Sequence, residues 1–219
     1  MTSGRRRLSI ALAVLIAGVA CQVPGQTKSA DAIYRDARSA VGSTVSYRLT
    51  VTLNLSGSRQ SYSLAVAKSG GSSGTVTIDG TPVDIIQSGG STYMRGNAFV
   101  AKYGNPDVAV QLGNRWVRTN TNPLGSLAIL GPDALAQTIK GKSSLQNGGD
   151  QTLDGSPVTK LYDKDGAIYV ARDGKPYIVR VESSQAVLPG GLKNLIADFS
   201  EYDRAKPDLP PASFIDATR

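Results

Sequence analysis

Few residues in this 219-residue chain are equipped for chemistry. There is no histidine, which removes the commonest general base and the commonest metal ligand. Serines are plentiful, but a serine nucleophile needs a base beside it, and no G-x-S-x-G turn occurs. A Ser–Lys pair is the one catalytic arrangement the composition leaves open. "GKS" at 141–143 has the ending of a phosphate loop, yet the glycine required five places before Gly141 is Ala136. "DKDG" at 163–166 carries too few oxygen ligands for a calcium loop and reads as a turn. The chain is therefore read as a non-enzyme, with no catalytic residue, metal or cofactor expected.

Cys21, the only cysteine, is the reactive group with a use. Arg5–Arg7 form a positive stretch, Leu8 to Ala20 an apolar one, and Cys21 follows directly. The apolar run is shorter than the roughly 20 residues that span a bilayer as a helix. The arrangement resembles a bacterial lipoprotein signal, with a diacylglycerol on the Cys21 sulfur and cleavage just before it. Val19 and Ala20 fit that pattern; Gly18 stands where Leu, Val or Ile is usual. The alternatives are an ordinary secretory signal with an incidental cysteine, or a twin-arginine signal using Arg5–Arg7. Two points favour the anchor: Cys21 has no second cysteine to pair with, and two acyl chains suffice for stable membrane attachment. Residues 1–20 are thus expected to be a signal peptide and 21–28 a flexible tether. The mature protein is expected on the extracytoplasmic side of the cell membrane.

The charge is +7, from 24 basic and 17 acidic residues. Without residues 1–20 it is 21 basic against 17 acidic, or +4. These charges are scattered, and no cluster matches a nucleic-acid footprint. Arg115 and Arg118, on either side of Trp116, are read as a solvated strand face or as contacts for a lipid headgroup.

The elements that must support any function are mostly strands. Ser29 can cap a helix from Ala30 to Val41, with Gly42 as its stop. Then Val45, Tyr47, Leu49, Val51, Leu53 and Leu55 alternate with polar residues, the pattern of a strand with one apolar face. Tyr62, Leu64 and Val66, then Val76 and Ile78, then Val83 and Ile85, then Tyr93 continue the pattern. Short Gly/Ser and Asp79-Gly80 turns separate these strands and make an antiparallel meander. A short helix is expected at 97–104, a strand at 114–119, and two helices within 122–142 starting at Pro123 and Pro132. Strands resume at 150–163, 166–172, 177–183 and 195–202, and the Pro-rich tail from 206 is extended. No linker divides residues 29–219, which are read as one domain.

About ten strands of about 20 Å give a sheet face near 1,000 Å². Three helices of about ten residues cover about 450 Å² of it. Either the sheet curls on itself with a filled core, or it lines a cavity.

Three stretches carry a family resemblance: "SSGTVTIDGTPVDIIQSGGSTYMRGNAF" (72–99), "NRWVRTN" (114–120) and "PPASFIDA" (210–217). With the order helix, meander, helical middle, second meander, the chain resembles the LolA/LppX-like lipoprotein carriers, in particular the actinobacterial LppX/LprG/LprA/LprF group. The resemblance implies an α+β fold: a strongly curved antiparallel β-sheet, or half-barrel, with short helices covering its concave face. It implies a lipid or glycolipid ligand, held by its acyl chains and carried between envelope layers. The implied partners are that lipid, the membrane through Cys21, and an export-machinery component. A non-carrier envelope interaction or sensor module with a filled core is the other reading. The family supplies no cavity residues, so the candidates come from alternation and helix faces alone. They are Ile33, Ala37, Val45, Tyr47, Leu49, Val51, Leu53, Tyr62, Leu64, Val66, Val76, Ile78, Val83, Ile85, Tyr93, Leu127, Leu135, Ile139, Val179, Val181, Leu195 and Phe199.

Overall fold

A computed structural model describes residues 28–55, 57–120, 131–140, 144–183 and 193–218. Cys21 and Leu127, with the first expected helix of the 122–142 segment, lie outside these residues.

Alternating sequence becomes strand wherever one face can be buried. The first meander is β1 (Ser46–Leu55), β2 (Ser58–Ala67), β3 (Gly71–Ile78), β4 (Thr81–Ser88) and β5 (Ser91–Arg95). The second is β7 (Gln146–Leu153), β8 (Ser156–Tyr162), β9 (Gly166–Ala171), β10 (Ile178–Ser183) and β11 (Lys193–Ser200). Between them in sequence come α2 (Asn97–Tyr103), α3 (Pro106–Leu112), β6 (Val117–Thr119) and α4 (Pro132–Lys140). Helix α1 (Ala30–Gly42) precedes the first meander and β12 (Ile215–Asp216) ends the chain.

The twelve strands among the described residues form one open sheet, ordered β12-β6-β5-β4-β3-β2-β1-β11-β10-β9-β8-β7. The meanders join at the centre, where β1 pairs antiparallel with β11. The expectation of an all-antiparallel sheet needs one correction: β12 runs parallel to β6, Ile215 opposite Val117. The chain crosses from the second meander back to the far edge of the first, and that return sets the direction.

Register aligns the apolar residues into rows. One row runs Val83, Val76, Tyr62, Val51, Ala197, Val181, Ile168, Leu161 across β4, β3, β2, β1, β11, β10, β9 and β8. Directly opposed side chains share a face, so this row is the spine of the concave side. Helices α1 and α4 pack on it over β9 and β10, and α2 packs over β4. Tyr34, Ala37 and Val41 of α1 and Leu135, Ala136 and Ile139 of α4 enter the same core cluster. The opposite face carries ion pairs instead: Arg48 to Glu201 at 2.9 Å, Arg95 to Asp84 at 2.8 Å, and Arg180 to Asp198.

One helix escaped the sequence reading. Asn105 Oδ1 accepts from the backbone N–H of Asp107 at 2.8 Å, and Pro106 begins α3. Asn-Pro is a capping residue followed by the residue best suited to the first helical position, so the signal was present at 105–106.

Candidate lipid cavity

The helix pair α2–α3 is built to stand off the sheet. Gly96 caps α2 where a β-carbon would come within 3.1 Å of the Val83 Cα and the Pro82 carbonyl oxygen, so any larger residue would have to push β4 aside by a few tenths of an ångström. Gly104 ends α2, and its N–H donates to the Val100 carbonyl. Gly113, at φ +57°, ends α3 in the left-handed region. Tyr103 donates its hydroxyl to the Ile78 carbonyl at 3.0 Å and packs its ring on Phe99, which fixes the outer edge of α2.

Beneath this pair lies an apolar cavity of about 320 Å³. Val83, Met94 and Val117 form its floor on β4, β5 and β6; Phe99, Val100 and Leu112 form its roof on α2 and α3. Its volume falls at the lower end of the roughly 300–1,000 Å³ common for small-molecule sites. Among the described residues, Arg115 is the only ionisable side chain in its lining. A second hollow of about 300 Å³ lies at one end of the sheet, with Tyr47, Val66 and Lys68 in its wall.

Most of the alternation-derived candidates sit in the closed core instead of the cavity. Ala37, Tyr47, Leu49, Val51, Leu53, Tyr62, Leu64, Val76, Val83, Ile85, Leu135, Ile139, Val181, Leu195 and Phe199 are buried together in one cluster. Ile33, Val66 and Ile78 are half-buried against it. Of the candidates among the described residues, Val83 alone reaches the cavity under α2. Its other walls, Met94, Phe99, Val100, Leu112 and Val117, were not singled out from sequence. Val117 and Met94 are directly opposed across β6 and β5, and Met94 and Ile85 across β5 and β4, so the strand pattern carried part of that signal.

Three candidates are corrected. Val45 precedes β1 and is 65% exposed, because the sheet begins at Ser46. Tyr93 points to the convex side: it lies opposite Ile86 and Arg118, and its ring meets Phe214 edge-on at 5.2 Å. Val179 also faces outward, against the small cluster of Val158, Ala167 and Tyr169. A register shift between Ile178 and Arg180 inserts one residue there, which flips the parity of Ile178 relative to Arg180 and leaves Val179 outside the row that Val181 joins.

Burial pushes the Tyr47 and Tyr62 hydroxyls up, as expected of a dry core. The Tyr169 hydroxyl is pushed up to about 12 by burial, with help from its hydrogen bond to Glu182. Among the described residues no three or more His, Cys, Asp or Glu side chains converge as metal ligands. Among them also, no helix is long and apolar enough to cross a membrane.

Comparison with solved structures fixes the fold. The chain matches the Mycobacterium tuberculosis lipoprotein LppX with a TM-score of 0.51 at 16% identity, covering 81% of this chain and 96% of that one. It matches LprF from Mycobacterium bovis with a TM-score of 0.54 at 12% identity, covering 84% and 97%. The fold is that of LppX and LprF. No protein-family model and no curated protein sequence matches the chain. The LppX-type open half-barrel with short helices, implied by the three stretches at 72–99, 114–120 and 210–217, is therefore the architecture adopted.

Proposed function

We propose that this protein is a membrane-anchored envelope lipoprotein that holds a lipid or lipoglycan by its acyl chains and carries it between envelope layers. The observation that carries the reading is the apolar cavity between α2–α3 and strands β4–β6. The signal-like residues 5–21 and a fold shared with a protein named as a lipoprotein support it. The work is desolvation: each methylene taken from water into the cavity contributes about 0.8 kcal/mol. No covalent step is needed.

The protein's own side chains fill the middle of the trough. Leu49, Val51 and Leu64 are fully buried in the core cluster. That observation favours the second reading, an envelope interaction module with a filled core. The two separate on one measurement. All the elements from α1 to β12, and every residue lining the cavity, lie within residues 22–219. That chain, purified and extracted with organic solvent, is expected to release close to one lipid per protein by mass spectrometry. Lipid-free protein that also fails to take up added acyl chains would establish the module.

A further inference from the structure

Arg115 is placed oddly for a surface arginine. Its Nη2 donates to the Gln111 carbonyl at 2.6 Å and its Nε to the Leu112 carbonyl at 3.1 Å. Both acceptors are the last carbonyls of α3, where a cation is favoured by the helix dipole. These bonds hold the guanidinium beside the cavity, whose wall also includes Leu112 and Gly113. Among the described residues no carboxylate pairs with it, nor with Arg35, Arg59 or Arg204, whereas Arg38, Arg48, Arg95, Arg118, Arg172 and Arg180 each have an acidic partner; of the four unpaired arginines only Arg115 lines this cavity. Asp107, the only acid of α2 and α3, is in the first turn of α3, at the other end of that helix.

The guanidinium has five N–H donors, of which the two carbonyls take two. Three remain, on a side chain already fixed in place, next to a cavity whose described lining carries no other charge. An exposed guanidinium with spare donors is matched by an oxyanion, which it can grip with two parallel bonds. An apolar cavity with such a group at its rim is complementary to a molecule with an oily chain and an anionic head.

We infer that the cavity under α2 and α3 takes amphiphiles with an anionic head, a carboxylate or a phosphate, whose oxygens sit on Arg115 while the chain fills the apolar space. This rests on the lipid-binding reading above and narrows its ligand. Trp116, the next residue, takes no part: its ring lies under the Arg95 guanidinium at 4.6 Å.

The test is calorimetric titration of delipidated residues 22–219 with decanoate, decyl phosphate and decanol, which share one chain length. Decanoate or decyl phosphate is expected to bind at least about tenfold more tightly than decanol, a difference of about 1.4 kcal/mol. The arm with the tighter binding identifies the head as carboxylate or phosphate. Arg115→Gln is expected to abolish that preference while decanol still binds, which shows that the variant remains folded. Equal affinity of the wild type for all three overturns the inference and leaves lipid binding standing. Binding of none of them overturns the lipid-binding reading itself. A preference that survives Arg115→Gln overturns the assignment to Arg115.

Discussion

The Asp203 carboxylate accepts the backbone N–H of Val45 at 2.8 Å, joining residues 158 positions apart. The same carboxylate accepts the Tyr177 hydroxyl at 3.2 Å, and the Asp203 N–H donates to the Ser46 carbonyl. One turn after β11 thus closes the seam where the two meanders meet. The hydrogen bond from Val45, and then that from Tyr177, hold the Asp203 carboxyl below its usual range. The Ser58 hydroxyl and the Arg59 backbone do the same for Asp79. A depressed folded pKa favours the charged form, so its stabilisation is present above the unfolded value of about 3.9 and is lost as pH falls through the folded one. The melting temperature is expected to be level from pH 7 to about 5 and to drop below about pH 4. Asp203→Asn keeps an acceptor but loses the charge, and it is expected to lower the neutral-pH melting temperature and flatten the acid limb. An unchanged acid limb in that variant would remove Asp203 from the account.

Leu64 and Val45 carry similar apolar side chains in similar alternating stretches, yet they differ in cost. Leu64 is fully buried against the core, whereas Val45 stands in solvent. Leu64→Ala is expected to cost about 2–5 kcal/mol by urea denaturation, from lost transfer energy and the cavity left behind. Val45→Ala is expected to stay within about 0.5 kcal/mol. Comparable losses would mean that the strand boundary at Ser46 is misplaced.

That contrast also marks where the sequence stops being legible. The core residues Tyr47, Leu49, Val51 and Leu53 followed from period two alone, because β1 is buried on one side and solvated on the other. Parity fails where the backbone adds a residue, as at the β10 bulge beside Val179. It fails again where both faces are covered. Ile85 and Ile86 are adjacent and both buried, because the Pro-rich tail lies on the convex side: the Asp208 N–H donates to Ser73 Oγ at 2.7 Å, and Phe214 packs on Tyr93. A sequence read as one-sided strands assigns Tyr93 to the wrong face for that reason. The cavity was hardest to see, since α2 and α3 meet β4–β6 only in three dimensions.

Gly74 is opposite Leu64 in the β2–β3 ladder, at φ +148°. A β-carbon there would be driven into the Ser63 carbonyl oxygen and stand 3.0 Å from the Leu64 Cα. Neither is a side-chain end that can move aside. Gly74→Ala is expected to cost more than about 3 kcal/mol, from backbone strain together with a split ladder. Gly71, on the same strand, would meet only ordinary van der Waals contacts with an added methyl group and has no positive φ. Gly71→Ala should therefore be tolerated to within about 1 kcal/mol. Equal urea midpoints for the two variants would show that the sheet has more slack at Gly74 than its geometry allows.

The anchor is tested apart from the cavity. If Cys21 carries a diacylglycerol, as proposed, the protein is expected to partition to membranes through two acyl chains, which suffice for stable attachment. Cys21→Ser is expected to release the protein into the medium or the soluble fraction, with its melting temperature unchanged. Persistent membrane association of that variant would place the attachment elsewhere.

Val100 looks into the cavity from α2, across from Met94 and Val117. Filling that space from within competes with any acyl chain that occupies it. Adding bulk to a packed core usually costs about 1–3 kcal/mol, but bulk added to an empty apolar space removes a void instead. Val100→Phe is therefore expected to keep or raise the urea midpoint while it lowers the co-purifying lipid, or shortens the chains that remain, by mass spectrometry. Stability and ligand content then move in opposite directions, which a general unfolding effect cannot produce. A variant that loses stability and keeps its full lipid content would mean that the acyl chains lie elsewhere in the trough.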